Sequence, residues 1–194
     1  MKQGHARSAQ SRDLDVVLWG ATGFTGRLVA EHLATRYGAG ERELRWALAG
    51  RDRAKLEAVR ARLTRLVPEA QGLEILLADS DDRPALDAMA ARARVVLSTV
   101  GPFARHGSTL VAACAALGTD YCDTTGEVQW VRTMIDRHHV EAERSGARIV
   151  HCCGFDSIPS DLGVLMLQRH MLREYGQRCR EIRYIIHASA PGFS

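Results

Sequence analysis

The sequence predicts an α/β domain built on a doubly wound parallel sheet, with helices covering both faces. Three observations predict it: short strands that are apolar throughout, helical stretches between them, and a glycine-rich segment directly after the first strand. Strands without a polar face belong to a sheet that is covered on both sides. The chain of 194 residues has room for one such domain and the beginning of another.

Six strands are predicted from short runs of apolar residues. The first run stops at Gly20, and the fourth is broken by Gly101 and Pro102. Both stops are typical of loops that leave a sheet. In chain order, the predicted strands are residues 16–19, 45–49, 73–78, 94–100, 120–122 and 147–152.

Helices are predicted between the strands, because apolar residues recur there at intervals of three and four. The first helix ends at a stop signal formed by Gly38 and Gly40. The helical stripes are Ala30, Leu33, Ala34 and Tyr37; Leu56, Val59, Leu63 and Leu66; Leu86, Met89, Ala90 and Ala93; residues 110–117; Val128, Val131, Ile135 and His138; and a helix near residues 160–170.

The two ends of the chain differ in composition from this alternating middle. Residues 1–13 are polar and predict a disordered leader, whereas residues 14–176 carry the alternation of strands and helices. In residues 178–190, charged and apolar residues alternate, which is typical of a half-exposed antiparallel strand. We therefore expect residues 177–194 to begin an incomplete second α+β domain that serves substrate binding or dimerisation.

The composition argues against several classes of protein. No apolar run approaches the roughly 18 residues of a transmembrane helix, and the N-terminus lacks the apolar core of a signal peptide. The 26 basic residues are scattered, which argues against nucleic-acid binding. The five cysteines form no C-x-x-C pair, so neither a disulfide framework nor a metal site is predicted. We expect a cytoplasmic location, with peripheral membrane association left open.

The strongest functional signal is the loop from Gly20 to Gly26, which follows a strand and opens a helix, like the dinucleotide-binding loop of a Rossmann domain. Gly20 permits the turn, Gly23 lets the backbone approach a pyrophosphate, and Gly26 lets the helix pack on the sheet. Amides of the first helical turn would bind the phosphates. A glycine-rich turn without a ligand is the plainer alternative. The predicted cofactor contacts in this loop are Gly20, Thr22, Gly23, Phe24, Thr25 and Gly26.

The residue after the second strand selects the dinucleotide. An NAD site places an acidic residue there for the ribose hydroxyl, whereas this chain has Arg51, with Lys55 one helical turn further on. A guanidinium matches the 2′-phosphate of NADP. We therefore expect NADP(H) as the cofactor. In the alternative interpretation Arg51 is a solvated loop residue and Asp52, a candidate helix cap, is the acid of an NAD site.

Two further loops lie at the predicted carboxyl edge of the sheet, where ligands of such folds bind. Asp79 follows the third strand and is a candidate acceptor for the adenine amino group, or else a helix cap. Thr99, Val100 and Gly101 leave the fourth strand where the nicotinamide ribose would lie.

Several motifs together resemble the N-terminal half of the saccharopine dehydrogenase-like oxidoreductases. They are residues 20–26, 48–51, 98–103, 121–127 and 154–161, and the resemblance covers about residues 14–167. Within that family the chain is most similar to the trans-acting enoyl reductases of actinobacterial lipid synthesis. The resemblance implies an NADPH-dependent reductase that acts on the double bond of a lipid or polyketide intermediate. It also implies a longer protein, dimeric through a second domain, of which this chain alone is inactive.

Reduction of a double bond needs a hydride from the cofactor and a proton from a donor. Tyr121 and Asp123 would face the crevice beside the fourth strand, although core packing and helix capping are their plainer roles. Cys153 and Asp156 end the sixth strand near the same edge, with packing and capping again as alternatives. The catalytic residue stays open. The alternative function is a non-catalytic NADP-binding sensor or scaffold module.

Overall fold

The computed structural model describes residues 12–39 and 44–185. The chain divides after Cys153 into two units, Met1–Cys153 and Gly154–Ser194. The first unit contains all six strands, and the second contains one long helix. Among the described residues, no helix is long and apolar enough to cross a membrane.

Strands and helices alternate through the first unit. The strands are β1 (Leu14–Trp19), β2 (Trp46–Gly50), β3 (Glu74–Leu77), β4 (Ala93–Ser98), β5 (Asp120–Asp123) and β6 (Ile149–Val150). The helices are α1 (Phe24–Tyr37), α2 (Arg53–Leu66), α3 (Arg83–Arg92), α4 (Phe103–His106), α5 (Ser108–Leu117) and α6 (Val128–Ser145), with a 3-10 turn at Pro68–Gly72. The second unit holds α7 (Ile158–Tyr175).

The six strands form one parallel sheet in the order β3-β2-β1-β4-β5-β6. The chain therefore winds outward from β1 in one direction and from β4 in the other, as the predicted doubly wound sheet requires. Since the order reverses between β1 and β4, the loops that follow these strands diverge and leave a crevice at the carboxyl edge. Ligands of open α/β sheets bind at this position.

Each face of the sheet is covered by its own apolar core. The core under α1 and α2 contains Leu18, Leu48 and Leu56, all fully buried. The core under α3, α5 and α6 contains Val17 and Val96, also fully buried. Burial of a side chain of this size contributes about 1.5–3 kcal/mol. Two cores of this kind hold the carboxyl edge rigidly, which matters because every loop of the site begins there.

The fold class and the order of the elements are confirmed, with differences at element ends. β6 is shorter than the predicted strand 147–152, because Cys152 adopts a φ of 62°, a left-handed conformation that cannot continue a strand. The short helix α4 was not predicted, because four residues are too few to show a helical period.

Arg12 and Asp13, the last two residues of the predicted leader, belong to the part of the chain that the structure describes. Residues 1–11 of the predicted leader lie outside the described residues. Arg12 belongs to the domain, since its guanidinium donates to the Thr119 hydroxyl at 2.6 Å and to the Leu117 carbonyl at 2.7 Å. Asp13 pairs with Arg92 of α3. Two charged side chains thus attach this end of the predicted leader to the sheet.

The C-terminal part differs more from the expectation. In the second unit, α7 has no buried residue and exposes apolar side chains such as Leu162 and Met166. Residues 178–185 are irregular, although a strand was predicted over 178–190; the rest of that prediction lies outside the described residues. A strand needs a hydrogen-bonded neighbour, and none of the described strands pairs with this segment. A second domain beginning at residue 177 stays a prediction.

Candidate functional site

A cleft of about 310 Å³ opens at the carboxyl edge, where the strand order reverses. Its walls are the loop after β1, Gly50 at the end of β2 and Arg51 after it, Ser80 after β3, and residues 99–101 after β4. His106 of α4 completes the wall. The cleft therefore collects the ends of four neighbouring strands, β3, β2, β1 and β4, at the carboxyl edge where dinucleotides bind in this fold.

The glycines of the first loop allow very close backbone approaches. Gly20 has a φ of 89°, and a Cβ there would lie 2.5 Å from a methyl carbon of Val100. A Cβ on Gly26 would lie 2.1 Å from the carbonyl oxygen of Gly20. Both positions exclude any side chain, since real Cβ contacts are not this short. The loop is consequently folded tightly against α1 and against the loop after β4.

The N-terminus of α1 is left open to an anion. Among the described residues no side chain caps α1 at Gly23, and its first turn holds no acidic residue. In contrast, Asp52 caps α2 and Asp82 caps α3, accepting from the Lys55 and Ala85 amides at 3.0 Å. Uncapped amides at the positive end of a helix form an anion site.

Arg51 is positioned for a second anionic group. It is exposed at the end of β2, lines the cleft, and forms no ion pair with any described residue. Asp52 is the N-cap of α2, and the hydrogen bond from the Lys55 amide lowers its pKa. The Lys55 ammonium lies 3.6 Å from the same carboxylate. Asp52 is thus engaged in capping, while the Arg51 guanidinium remains available to a phosphate.

Seven of the twelve predicted cofactor residues line the cleft, and Phe24, Thr25 and Gly26 follow the lining residue Gly23 as the first turn of α1. Gly20, Thr22, Gly23, Arg51, Thr99, Val100 and Gly101 line the cleft, whereas Phe24, Thr25, Gly26, Lys55 and Asp79 do not. Asp79 instead shapes the turn after β3, accepting from the Ser80 hydroxyl at 3.3 Å and the Asp81 amide at 3.2 Å.

Among the lining residues that sequence reasoning missed, Ser80 and His106 are the two that can offer a hydroxyl or an imidazole to a ligand. Ser80 and His106 face each other, with 3.2 Å between the Ser80 hydroxyl and His106 Nδ1. Neither residue belongs to a glycine motif, and they are distant in sequence, with Ser80 on the loop after β3 and His106 on α4. Ser80 could have been suspected, because it follows Asp79 at the end of a predicted strand. No local signal points to His106.

A buried polar row crosses the ends of β4, β5 and β6. The register sets Ser98 beside Asp123, and His151 follows the last residue of β6. The fully buried Asp123 carboxylate contacts His151 Nδ1 at 2.6 Å and accepts from the Thr125 and Cys152 amides, each at 3.1 Å. Sequence reasoning, which predicted no metal site, gave His151 no role. An aspartate and a histidine ending adjacent predicted strands was the missed signal.

The other predicted catalytic residues differ in burial. Tyr121 is buried, and burial together with the Asp123 carboxylate raises its pKa. Cys153 is partly exposed at the end of β6, and burial and the Asp123 carboxylate raise the pKa of its thiol. Asp156 lies exposed in the second unit and does not cap α7, whose N-cap is Ser157. At neutral pH the Tyr121 and Cys153 side chains therefore keep their protons.

The family model of the saccharopine dehydrogenase NADP binding domain matches residues 16–150 of this chain. The chain belongs to this family. The matched range runs from β1 to β6 and includes every loop of the cleft. The expected cofactor, NADP(H), is thereby confirmed.

Curated relatives extend this similarity. The chain is 50% identical over 173 residues to a trans-acting enoyl reductase of Mycobacterium leprae (strain TN), covering 89% of this chain and 40% of that protein. A trans-acting enoyl reductase of Mycobacterium tuberculosis (strain ATCC 25618 / H37Rv) matches with the same identity and coverage. The chain thus spans about two fifths of the length of these relatives.

Solved structures with low sequence identity share the fold. Saccharopine dehydrogenase (L-Glu forming) from Saccharomyces cerevisiae superposes with a TM-score of 0.60 at 21% identity, over 80% of this chain and 32% of that chain. The triphenylmethane reductase of Citrobacter sp., complexed with NADP(H), gives a TM-score of 0.52 at 17% identity, over 71% and 48%. Both support the Rossmann architecture.

Proposed function

We propose that this chain is the NADPH-binding part of an oxidoreductase that reduces the carbon–carbon double bond of an enoyl intermediate in lipid or polyketide synthesis. Two features of one cleft carry the proposal: the N-terminus of α1, which no described side chain caps, and Arg51, which forms no ion pair with any described residue. The names of relatives that are 50% identical, trans-acting enoyl reductases, support the reaction class.

Different residues of the cleft would bind different parts of NADPH. The first-turn amides of α1, behind Gly23, would bind the diphosphate, and Arg51 would bind the 2′-phosphate. Thr99, Val100 and Gly101 would flank the ribose on the nicotinamide side. The nicotinamide would then lie near the end of β4, where Ser98 pairs in register with Asp123 of the buried polar row.

The reaction transfers a hydride and a proton to the two carbons of the double bond. Bound NADPH supplies the hydride and leaves as NADP⁺. The carboxylate of Asp123 is already occupied by three hydrogen-bond donors, and Tyr121 is buried. Cys153 combines a retained proton with partial exposure at the edge of the sheet. We assign the proton to Cys153, whose turn is held by a 2.7 Å hydrogen bond from its amide to the backbone carbonyl of Asp123.

The cofactor assignment is tested by titrating this chain with NADPH and NADH. We expect Arg51→Ala to weaken NADPH binding about tenfold, as expected for one charge-assisted hydrogen-bonded pair, and to leave NADH binding unchanged. Arg53→Ala is the matched control, because it removes the same charge from an exposed position on α2 that pairs with Glu57 at 3.8 Å. Tighter binding of NADH than NADPH by the unchanged protein would reject the assignment.

The reaction is tested with the natural protein at its full length. We expect NADPH oxidation with an enoyl thioester, and a fall in kcat of about 100-fold in Cys153→Ala, the typical effect of losing a general acid. Cys179→Ala is the control, since Cys179 lies in the second unit. Full activity of the Cys153 variant would reject that proton donor. Tight NADPH binding without turnover would favour the sensor or scaffold module instead.

A further inference from the structure

Glu127 makes an unusual contact at the edge of the cleft. Its two carboxylate oxygens accept hydrogen bonds from consecutive backbone amides, Phe103 N–H at 2.6 Å and Ala104 N–H at 2.8 Å. These are the first two amides of α4. Residues 99–101, which line the cleft, lie directly before this helix. The Glu127 carboxylate therefore holds the backbone at the start of α4, directly after the cleft-lining residues 99–101.

Glu127 is itself held in place by the segment after β5. Its amide donates to the Thr125 hydroxyl at 3.0 Å, and the Thr125 amide donates to Asp123 at 3.1 Å. Phe103 of α4 is buried and packs on Trp130 of α6, with 5.6 Å between ring centroids. These polar and apolar contacts together fix the position of α4 relative to the end of β5.

The other end of α4 reaches across the cleft. His106, its last residue, lies 3.2 Å from the Ser80 hydroxyl on the loop after β3. Both side chains line the cleft. The helix therefore connects a carboxylate on one side of the site with the loop after β3 on the other. A shift of its first turn would move both residues 99–101 and His106.

An acidic side chain near a polyphosphate site would ordinarily weaken the binding of the ligand. Charges within about 8–10 Å interact appreciably at physiological salt. If Glu127 acted only through its charge, its neutralisation would strengthen NADPH binding. If it acts by holding α4, the same change weakens binding. The sign of the effect therefore separates the two roles.

We propose that Glu127 is a positioning residue for NADPH, holding α4 so that residues 99–101 and His106 keep the shape of the cofactor wall. This role rests on the proposed function, since it presupposes that NADPH occupies the cleft. This role also accounts for Glu127 as the last residue of the segment 121–127, since Glu127 takes no part in the transfer of the hydride or the proton.

The test compares Glu127→Ala, Glu127→Gln and the control Glu143→Gln by NADPH fluorescence titration. Glu143 lies on α6, the helix that directly follows Glu127, and is exposed, with its carboxylate 3.7 Å from His139. We expect the dissociation constant to rise about tenfold in Glu127→Ala and about threefold in Glu127→Gln. Glutamine rescues part of the affinity, because its amide oxygen still accepts one of the two hydrogen bonds. The control should bind as the unchanged protein does.

Each outcome decides a different question. If the unchanged protein does not bind NADPH, the proposed function fails. If it binds, and both Glu127 variants fold and bind within twofold of it or more tightly, the positioning role is rejected while the proposed function stands. If both variants melt below the assay temperature, Glu127 is a stability residue and the positioning role is rejected as well.

Discussion

Gly26→Ala tests how strictly the cofactor loop depends on close packing. In the structure a Cβ at this position would lie 2.1 Å from the Gly20 carbonyl oxygen and 2.9 Å from the Ala21 Cα. Ordinary contacts begin near 3.4 Å, so the loop or the helix must move by about 1.3 Å. Because Gly26 lies inside α1, helix propensity alone makes the opposite prediction, a gain of about 1 kcal/mol for alanine.

The expected magnitude follows from the contacts that the methyl group would disturb. Overpacking of this kind costs about 1–3 kcal/mol. The displaced Gly20 carbonyl also loses the hydrogen bond from the Gly23 amide, now 3.0 Å long, at a net cost of about 0.5–1.5 kcal/mol. After subtraction of the gain in helix propensity, we expect a net loss of about 1–3 kcal/mol. In a chain of this length the melting temperature falls by roughly 2–12 °C.

Thermal melts and NADPH titrations of two glycine variants separate stability from binding. Gly26→Ala should lower the melting temperature and weaken NADPH binding at least about tenfold, because a displaced loop no longer presents its amides to the diphosphate. Gly23→Ala is the matched partner. Gly23 has a φ of −71°, which any residue adopts, and a Cβ there meets only the Gly20 oxygen at 3.4 Å. This variant should melt within about 2 °C of the unchanged protein yet bind poorly, because its methyl group occupies the cleft.

One result would refute this reasoning. If Gly26→Ala melts at or above the temperature of the unchanged protein and binds NADPH within twofold, the close approach does not constrain the loop. Helix propensity would then be the dominant effect at this position.

Three further predictions concern stability and thiol chemistry. Asp123→Ala leaves buried hydrogen-bond donors without an acceptor, and breaking a buried pair costs about 3–5 kcal/mol. We therefore expect the melting temperature to fall by roughly 6–20 °C. An unchanged melting temperature would contradict this. The hydrogen bond from the Arg45 backbone amide lowers the pKa of Asp15 in the folded protein. The Asp15 carboxylate therefore adds its full share to the free energy of unfolding above the unfolded pKa near 4. This share is lost as pH falls from there through the lowered pKa. Asp15→Asn should therefore cost about 0.5–1 kcal/mol in urea melts at about pH 7 and almost nothing at about pH 2, and an equal cost at both pH values would refute it. Burial raises the pKa of Cys122 to about 11 and encloses Cys114, so alkylation mapped by mass spectrometry at about pH 8 should label these two cysteines last.

The sheet could be predicted in detail because its signals are local. A strand such as Val16–Trp19 is apolar on both faces, which only a sheet covered on both sides can accommodate. Parallel strands joined by helices then leave few possible connections, because crossovers are right-handed. The fold class and the order of the elements followed from these signals. The length of β6 was overestimated, because no sequence pattern indicates the left-handed conformation of Cys152.

The cofactor loop was equally accessible to sequence reasoning, since the role of a glycine is steric and depends on neighbours a few residues away. Gly20 and Gly26 meet each other, and Arg51 follows its own strand directly. In contrast, the contact of Glu127 with Phe103 joins two loops that follow different strands. Neither segment has a sequence pattern that indicates this contact.

By itself, the sequence determined the parallel sheet, the anion-binding loop and the arginine beside it, because burial pattern, backbone sterics and charge are properties of short segments. Only the tertiary structure decided which loops meet at the carboxyl edge. It brought Ser80 to His106, His151 to Asp123 and the Glu127 carboxylate to α4. These pairs depend on strand register and on the packing of helices from distant parts of the chain, which short-range patterns do not encode.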